Sequence, residues 1–193
     1  MVTLSKIYTK TGDSGETGLG DGSRISKASL RIAAIGAVDE TNCAIGIARL
    51  DAENDADAML ARIQNDLFDL GADLCAPEDG RKAPSTKHNG RLRIAAAQVE
   101  RLEREIDAMN ENLSPLTSFV LPGGTALAAH LHLARAIARR AEAAMVSLAA
   151  QEQINDAALR YANRLSDHLF VMARTANDGG MGDVLWVPGA NRP

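Results

Sequence analysis

Two stretches of the chain carry polar residues whose types and spacing suit an anion. The first is Tyr8-Thr9-Lys10-Thr11-Gly12-Asp13-Ser14-Gly15-Glu16-Thr17-Gly18. Glycines let backbone N–H groups turn toward one point, Thr and Ser add hydroxyl donors, and Lys10 adds a point charge for a phosphate. Neither G-x-x-x-x-G-K-[ST] nor G-x-G-x-x-G occurs, so a phosphate here is not held by either of the commonest nucleotide cradles. Taken alone, the run suits a flexible polar terminus equally well.

The second stretch is Ala-rich, with Arg135, Arg139, Arg140 and Glu142 inside two helical turns. Arg135 and Arg139, at i and i+4, share a face, and Glu142 stands three residues beyond Arg139. Leu131, Ala134, Ala138 and Ala141 surround them. Guanidinium groups in apolar surroundings are paired or hold phosphate, because burying one alone is costly. A solvated face with an intrahelical ion pair is the alternative. Asn163 and Asp167, also i and i+4 and beside Arg164, could hold a ribose, a phosphate or hydrated Mg²⁺, or could be plain surface. Asp39 and Glu40 interrupt an apolar run; a buried Asp39 needs a cation, and Arg135 is a candidate.

These residues must be positioned by helices. Residues 28–51 carry Ile32, Ile35, Val38 and Ile45; residues 56–75 carry Leu60, Ile63, Leu67, Leu70 and Leu74, three and four apart along one stripe. Residues 91–112 (Leu92, Val99, Leu102, Ile106, Met109), 125–152 (Leu127, Leu131, Ile137, Met145) and 156–177 (Leu159, Leu165, Leu169, Met172) repeat the pattern. Pro77, Gly80, Pro84 and Gly90 punctuate one loop, Ser114-Pro115 through Pro122-Gly123-Gly124 another, and Gly179, Gly180 and Gly182 end the last helix. Long helices joined by loops predict an all-α bundle in a single domain: an N-terminal segment 1–27, helices over 28–178, and a tail 179–193. Val184 to Pro188 is expected to add a strand-like edge or to pack on the bundle.

Composition narrows the function. In 193 residues, 46% are hydrophobic but only 3% aromatic, so Ala, Leu, Ile and Val must build a core of closely packed helices. A net charge of -4 argues against a general nucleic-acid binder. Cys43 and Cys75 have no metal or redox spacing and are expected to be reduced, packed thiols. No apolar signal segment or ~20-residue apolar span occurs, so a soluble cytoplasmic protein without a membrane partner is expected. None of His88, His130, His132 and His168 follows a Glu by three residues, which removes a di-iron bundle.

Several strings, in order, resemble the propanediol-utilisation type of ATP:cob(I)alamin adenosyltransferase. They are Thr9-Lys10-Thr11-Gly12-Asp13, Val38-Asp39-Glu40, Phe119-Val120-Leu121-Pro122-Gly123-Gly124-Thr125, Leu131-His132-Leu133-Ala134-Arg135, Arg139-Arg140-Ala141-Glu142, Asn163-Arg164-Leu165-Ser166-Asp167 and Leu185-Trp186. The resemblance spans nearly the whole chain. It implies a ferritin-like five-helix bundle with an extended Gly/Thr-rich N-terminal segment, assembled as a homotrimer with active sites between subunits. It implies transfer of the 5′-deoxyadenosyl group from ATP to cob(I)alamin, with Mg²⁺ on the phosphates near Asn163. It further implies ATP contacts from Thr9, Lys10, Gly12, Asp13, Ser14, Gly15, Thr17 and Lys27 of one subunit, and from Arg139, Glu142 and Asn163 of its neighbour. Asp39 and Arg135 correspond to an ion pair organising the interface and the corrinoid pocket, and Phe119 to an aromatic closing the lower face of the corrin. A reductase acting on cob(II)alamin and an adenosylcobalamin-dependent enzyme are the implied partners. Two departures stand out: Ala143 follows Glu142 where many members carry Arg, and His168 occupies a usually apolar position.

Overall fold

The computed structural model describes residues 7–78 and 91–192; Gly80, Pro84, His88 and Gly90 lie outside the described residues. Among the described residues five helices form: α1 (Leu30–Ala48), α2 (Asn54–Leu74), α3 (Ala96–Asn110), α4 (Ala126–Ala149) and α5 (Asp156–Ala176). Two three-residue strands, β1 (Glu16–Gly18) and β2 (Arg24–Ser26), pair antiparallel ahead of them. Side-chain oxygens cap three of the helices. Ser29 accepts from the Ile32 N–H, Thr125 from Ala128 and Asn155 from Ala157.

Polar contacts fix the direction of each helix. Arg31 donates to the Leu74 carbonyl, Asn42 to Gln64 and Arg49 to Asp57, so α1 and α2 run antiparallel. Arg31–Glu152, Glu40–Arg140 and Asp51–His130 set α4 antiparallel to α1. Asn163–Glu142 and Thr125–Ala176 set α5 antiparallel to α4, and Arg62–Glu105 and Asp66–Arg101 do the same for α2 and α3. Arg164–Glu103 and His168–Glu105 advance together, so α3 and α5 are parallel. The five helices therefore close a ring in the order α1, α2, α3, α5, α4. At one end lie the starts of α1, α3 and α5; at the other lies the start of α4. We call these the upper and lower ends.

Inside the ring, Ala34, Ala44, Ala48, Ala134, Ala138 and Ala141 are buried, which lets α1 and α4 approach closely. Leu60, Ile63, Leu70, Leu102, Leu131, Met145, Leu148 and Leu165 fill the remaining volume. Buried Asp66 accepts from Tyr161 Oη (2.8 Å), Gln98 Nε2 (2.9 Å) and Arg101, tying α2, α3 and α5.

The helix expected from residue 91 starts at Ala96 instead. Buried Asp73 takes the Arg93 guanidinium at 2.5 Å and the Ile94 N–H at 2.8 Å, holding these residues extended. The Gln98 side chain then accepts the Ala95 N–H at 2.8 Å and opens the helix. Both thiols are free, but Cys43 is exposed rather than packed, on the outer side of α1.

Candidate functional site

At the upper end the Gly/Thr-rich segment is a tight loop ahead of the β1–β2 hairpin. The Gly15 N–H bonds the Gly12 carbonyl at 3.2 Å, and the Lys27 N–H bonds the Gly15 carbonyl at 2.8 Å. Gly15 adopts a φ of +86°, a region that favours glycine. Lys27 Nζ donates to the Gly12 carbonyl at 2.9 Å, and Arg24 donates to the Thr11 carbonyl at 2.7 Å. A Cβ on Gly12 would stand 3.0 Å from Lys27 Nζ, so glycine permits this closure. Thr9 and Thr11 share a hydroxyl bond of 2.9 Å, Lys10 lies 6.0 Å from the Tyr8 ring centroid, and Lys10, Asp13 and Ser14 are exposed. Thr17 sits half-buried in β1 opposite Ile25. Beyond the hairpin, the Gly20 N–H meets the Cys75 carbonyl at the end of α2, 2.8 Å away.

On the α4–α5 face, Asn163 Nδ2 donates to Glu142 Oε1 at 2.8 Å. Glu142 is thus engaged across the groove and makes no intrahelical pair with Arg139. Arg140 is held by Glu40, while Arg139 is exposed and makes no ion pair or hydrogen bond among the described residues. Asp167 pairs with Arg164 at 3.0 Å rather than acting with Asn163.

The ion pair expected between Asp39 and Arg135 does not form within the chain. The antiparallel packing of α1 on α4 puts Glu40 opposite Arg140 and leaves Asp39 exposed, with no need of a cation. The Nε of Arg135 is buried without a partner among the described residues. Burial, and then Arg139, push the Arg135 guanidinium below its ordinary value. One turn earlier, His132 is buried with both ring nitrogens unpartnered among the described residues, edge-on to Phe170 at 6.1 Å. Burial followed by the Arg135 charge lowers its pKa, with Asp183 acting the other way.

The lower end carries Phe119, which is 76% exposed. Its loop pairs with the tail: the Leu121 N–H meets the Val184 carbonyl at 2.7 Å and the Trp186 N–H meets the Phe119 carbonyl at 2.8 Å. The Phe119 and Trp186 rings lie 5.9 Å apart, tilted by 58°. Gly124, at φ +99°, touches Asn177 so closely that a Cβ would overlap its carboxamide. This fixes the glycine before the Thr125 cap.

Arg174, Asn177 and Asp183, which support this end, carry no local sequence signal because their partners lie in different segments. His168 also has an account: fully buried, it meets Glu105 Oε2 at 2.9 Å, and Glu105 also takes Arg62 at 2.8 Å. Burial raises the Glu105 carboxyl, but His168 and Arg62 outweigh it and the net shift is downward. A cavity of about 510 Å³ opens at the lower end beside Met59, Met109, Leu127 and Met172. None of the expected site residues lines it, and its Arg62 is already held by Glu105.

A family model described as cobalamin adenosyltransferase matches residues 7–176. A cobalamin adenosyltransferase of Cupriavidus metallidurans is 49% identical over 186 residues, 95% of each chain. The chain belongs to the cobalamin adenosyltransferase family. A corrinoid adenosyltransferase of Mycobacterium leprae is 47% identical over 193 residues, 97% of this chain and 98% of that one. Among solved structures, a variant PduO-type ATP:corrinoid adenosyltransferase from Lactobacillus reuteri, complexed with cobalamin and ATP, superposes with a TM-score of 0.84. The two are 38% identical over 95% of this chain and 97% of that one. The family match ends at Ala176, one residue before Asn177, so the tail that pairs with Phe119 lies beyond the matched part of this cobalamin adenosyltransferase family member.

Proposed function

We propose that the chain transfers the 5′-deoxyadenosyl group of ATP to the cobalt of cob(I)alamin and releases triphosphate. We further propose that it works as a homotrimer with sites between subunits. The observation that carries the nucleotide site is the contrast on α4, where Arg140 pairs with Glu40 and Arg139 is exposed without a counter-ion among the described residues. Lys10 is the matching exposed cation on the N-terminal loop. Within one chain the two share no bond, which supports closure of the loop of one subunit on the groove of another.

Cob(I) cobalt is itself the nucleophile, so the protein contributes position and electrostatics. Cobalt attacks C5′ in line, the C5′–O bond breaks, and its electron pair leaves on the triphosphate. Lys10 and Arg139 are assigned to the charge developing on that oxygen. Thr9, Gly12, Asp13, Ser14, Gly15, Thr17 and Lys27 shape or line the loop, and Glu142 and Asn163 face the nucleotide from the groove. Glu142 and Asn163 also offer oxygens that suit Mg²⁺ retaining most of its water, and such an ion would neutralise phosphate charge.

Phe119 sits at the lower end, and Arg139 lies fourteen residues past the Thr125 cap, about 21 Å up the helix axis. This spacing supports a nucleotide above and a corrin below, where the exposed ring of Phe119 keeps an axial ligand from Co(II) before its reduction. Asp39 and Arg135 are assigned to the boundary with the neighbouring subunit, where Arg135, whose Nε is buried without a partner among the described residues, would meet the exposed Asp39 carboxylate. Two free thiols suit a reducing compartment, and we assign the protein to the cytoplasm. A reductase and an adenosylcobalamin-dependent enzyme are its expected partners.

The test is incubation with cob(I)alamin, Mg²⁺ and ATP. The expected result is an alkylcobalamin spectrum with one triphosphate per corrinoid. ADP or AMP as product would instead indicate phosphoryl transfer, and corrinoid binding with no Co–C bond would indicate a carrier; either outcome overturns the proposal.

A further inference from the structure

Phe119 lies in a loop between α3 and α4 that contains no regular element, yet the role proposed for it requires a ring held in one place. Its neighbours show how that is done. Ser118 Oγ donates to the Trp186 carbonyl at 2.6 Å, the Trp186 N–H donates to the Phe119 carbonyl, and the Leu121 N–H donates to the Val184 carbonyl. The loop is therefore a strand edge of the tail, and its position is that of residues 184–186.

The tail is fixed in turn by Asp183, immediately before it. The Asp183 side chain is 2% exposed. Its Oδ2 takes Arg174 Nε at 2.8 Å and its Oδ1 takes Asn177 Nδ2 at 3.2 Å. The same two partners hold both ends of the Phe119 loop. Arg174 donates to the Ser114 carbonyl at 2.9 Å; Asn177 accepts the Thr125 N–H at 3.0 Å and donates to the Gly123 carbonyl at 3.2 Å. Three otherwise separate segments thus end on one buried carboxylate, guanidinium and carboxamide. A buried pair of this kind adds little to net stability over an apolar replacement, but it specifies a single arrangement of the groups it binds.

We propose that Asp183 is a positioning residue for the reduction of cob(II)alamin that precedes adenosylation, acting through the tail to set Phe119. The proposal rests on the role assigned above to Phe119. Asp183 touches no reacting atom. With the carboxylate gone, the tail loses its anchor, the Phe119 loop loses its strand partner, and the ring no longer occupies the lower face of the corrin. Arg139 lies about 21 Å along α4 from the Thr125 cap that this cluster holds, and keeps its geometry.

Trp186 is the only tryptophan of the chain, so its fluorescence reads the tail directly. The experiment compares wild type, Asp183→Ala, Asp183→Glu, Ser118→Ala and Phe119→Ala. Each is assayed for far-UV circular dichroism, Trp186 emission and acrylamide quenching, ATP KM, and turnover started from cob(II)alamin with a chemical reductant or from fully reduced cob(I)alamin. In Asp183→Ala the Trp186 emission should move to the red and quench more readily. Turnover from cob(II)alamin should fall about tenfold or more once the displaced ring lets the axial ligand back onto Co(II). ATP KM and turnover from cob(I)alamin should stay within about twofold. Asp183→Glu should recover part of the loss, and Ser118→Ala, a surface change that leaves the buried cluster intact, should show the same split more weakly.

Released Trp186 with undiminished cob(II)alamin turnover overturns the proposal, as does an equal loss in both turnover assays. If Asp183→Ala does not fold, Ser118→Ala decides by the same criteria. If Phe119→Ala itself retains full cob(II)alamin turnover, the role of the ring fails; an unmoved Trp186 signal in Asp183→Ala means instead that the carboxylate does not hold the tail. The two failures are read separately.

Discussion

On α4, Arg139 and Arg140 are adjacent in sequence but differ in what surrounds them, and the difference makes a kinetic prediction. Removing a charge-assisted bond to phosphate costs about 1.5–3 kcal/mol, so Arg139→Ala should raise the ATP KM roughly tenfold to a hundredfold. Arg140→Ala breaks a surface pair with Glu40 and should change the KM less than Arg139→Ala does. An equal effect of the two in steady-state kinetics would remove Arg139 from the phosphate site. Phe119→Ala should lose most turnover started from cob(II)alamin while ATP affinity is retained. Gly124 is constrained by its conformation and by the Asn177 carboxamide, so Gly124→Ala should destabilise the protein by more than the ~1 kcal/mol of an ordinary glycine replacement. Thermal melting measures it, and a melting temperature equal to wild type would contradict the close approach.

At the scale of elements, α2, α3 and α5 depend on Asp66. Asp66→Ala leaves Tyr161 Oη and Arg101 without their acceptor in a buried layer, at a cost of about 3 kcal/mol. For a chain of this length that should lower Tm by roughly 6–12 °C, and an unchanged Tm would show the layer is not cooperative. The helices themselves were legible because Leu60, Ile63, Leu67, Leu70 and Leu74 repeat at the helical period, and the Gly/Pro-rich breaks stand where helices stop. The β1–β2 hairpin was not, since three-residue strands are too short to show an alternation. The start of α3 was misplaced because Asp73 captures Arg93 and Ile94 from a distant part of the sequence. The residues proposed for the site stand in local strings, such as Phe119 to Thr125 or Arg139 to Glu142, which a sequence shows directly. Contacts between distant residues were not legible: Glu40 with Arg140, Asn163 with Glu142, and Asn177 with Gly123. His168 looked out of place only because Glu105, its partner, sits on another helix.

For the molecule as a whole, stability should fall on acidification in two stages. The buried His132 has a folded pKa below its unfolded value, so its contribution is present above about pH 6.5 and is lost as pH falls through the depressed value. Glu105 is likewise depressed; its contribution is present above about pH 4.3 and disappears as pH falls through its lower folded value. Melting temperature against pH should show both, and His132→Leu should abolish the first stage alone; persistence of that stage would assign it elsewhere. Light scattering should give a particle near three times the 20.4 kDa chain. The outward-facing thiol of Cys43 has a use in the same question. It stands four residues after Asp39, hence on the same side of α1, which the proposed assembly covers. Alkylation at that sulfur is therefore a gauge of association: slow in the intact particle, fast on dilution to single chains, and equally fast in both if Asp39 faces water instead of a neighbour.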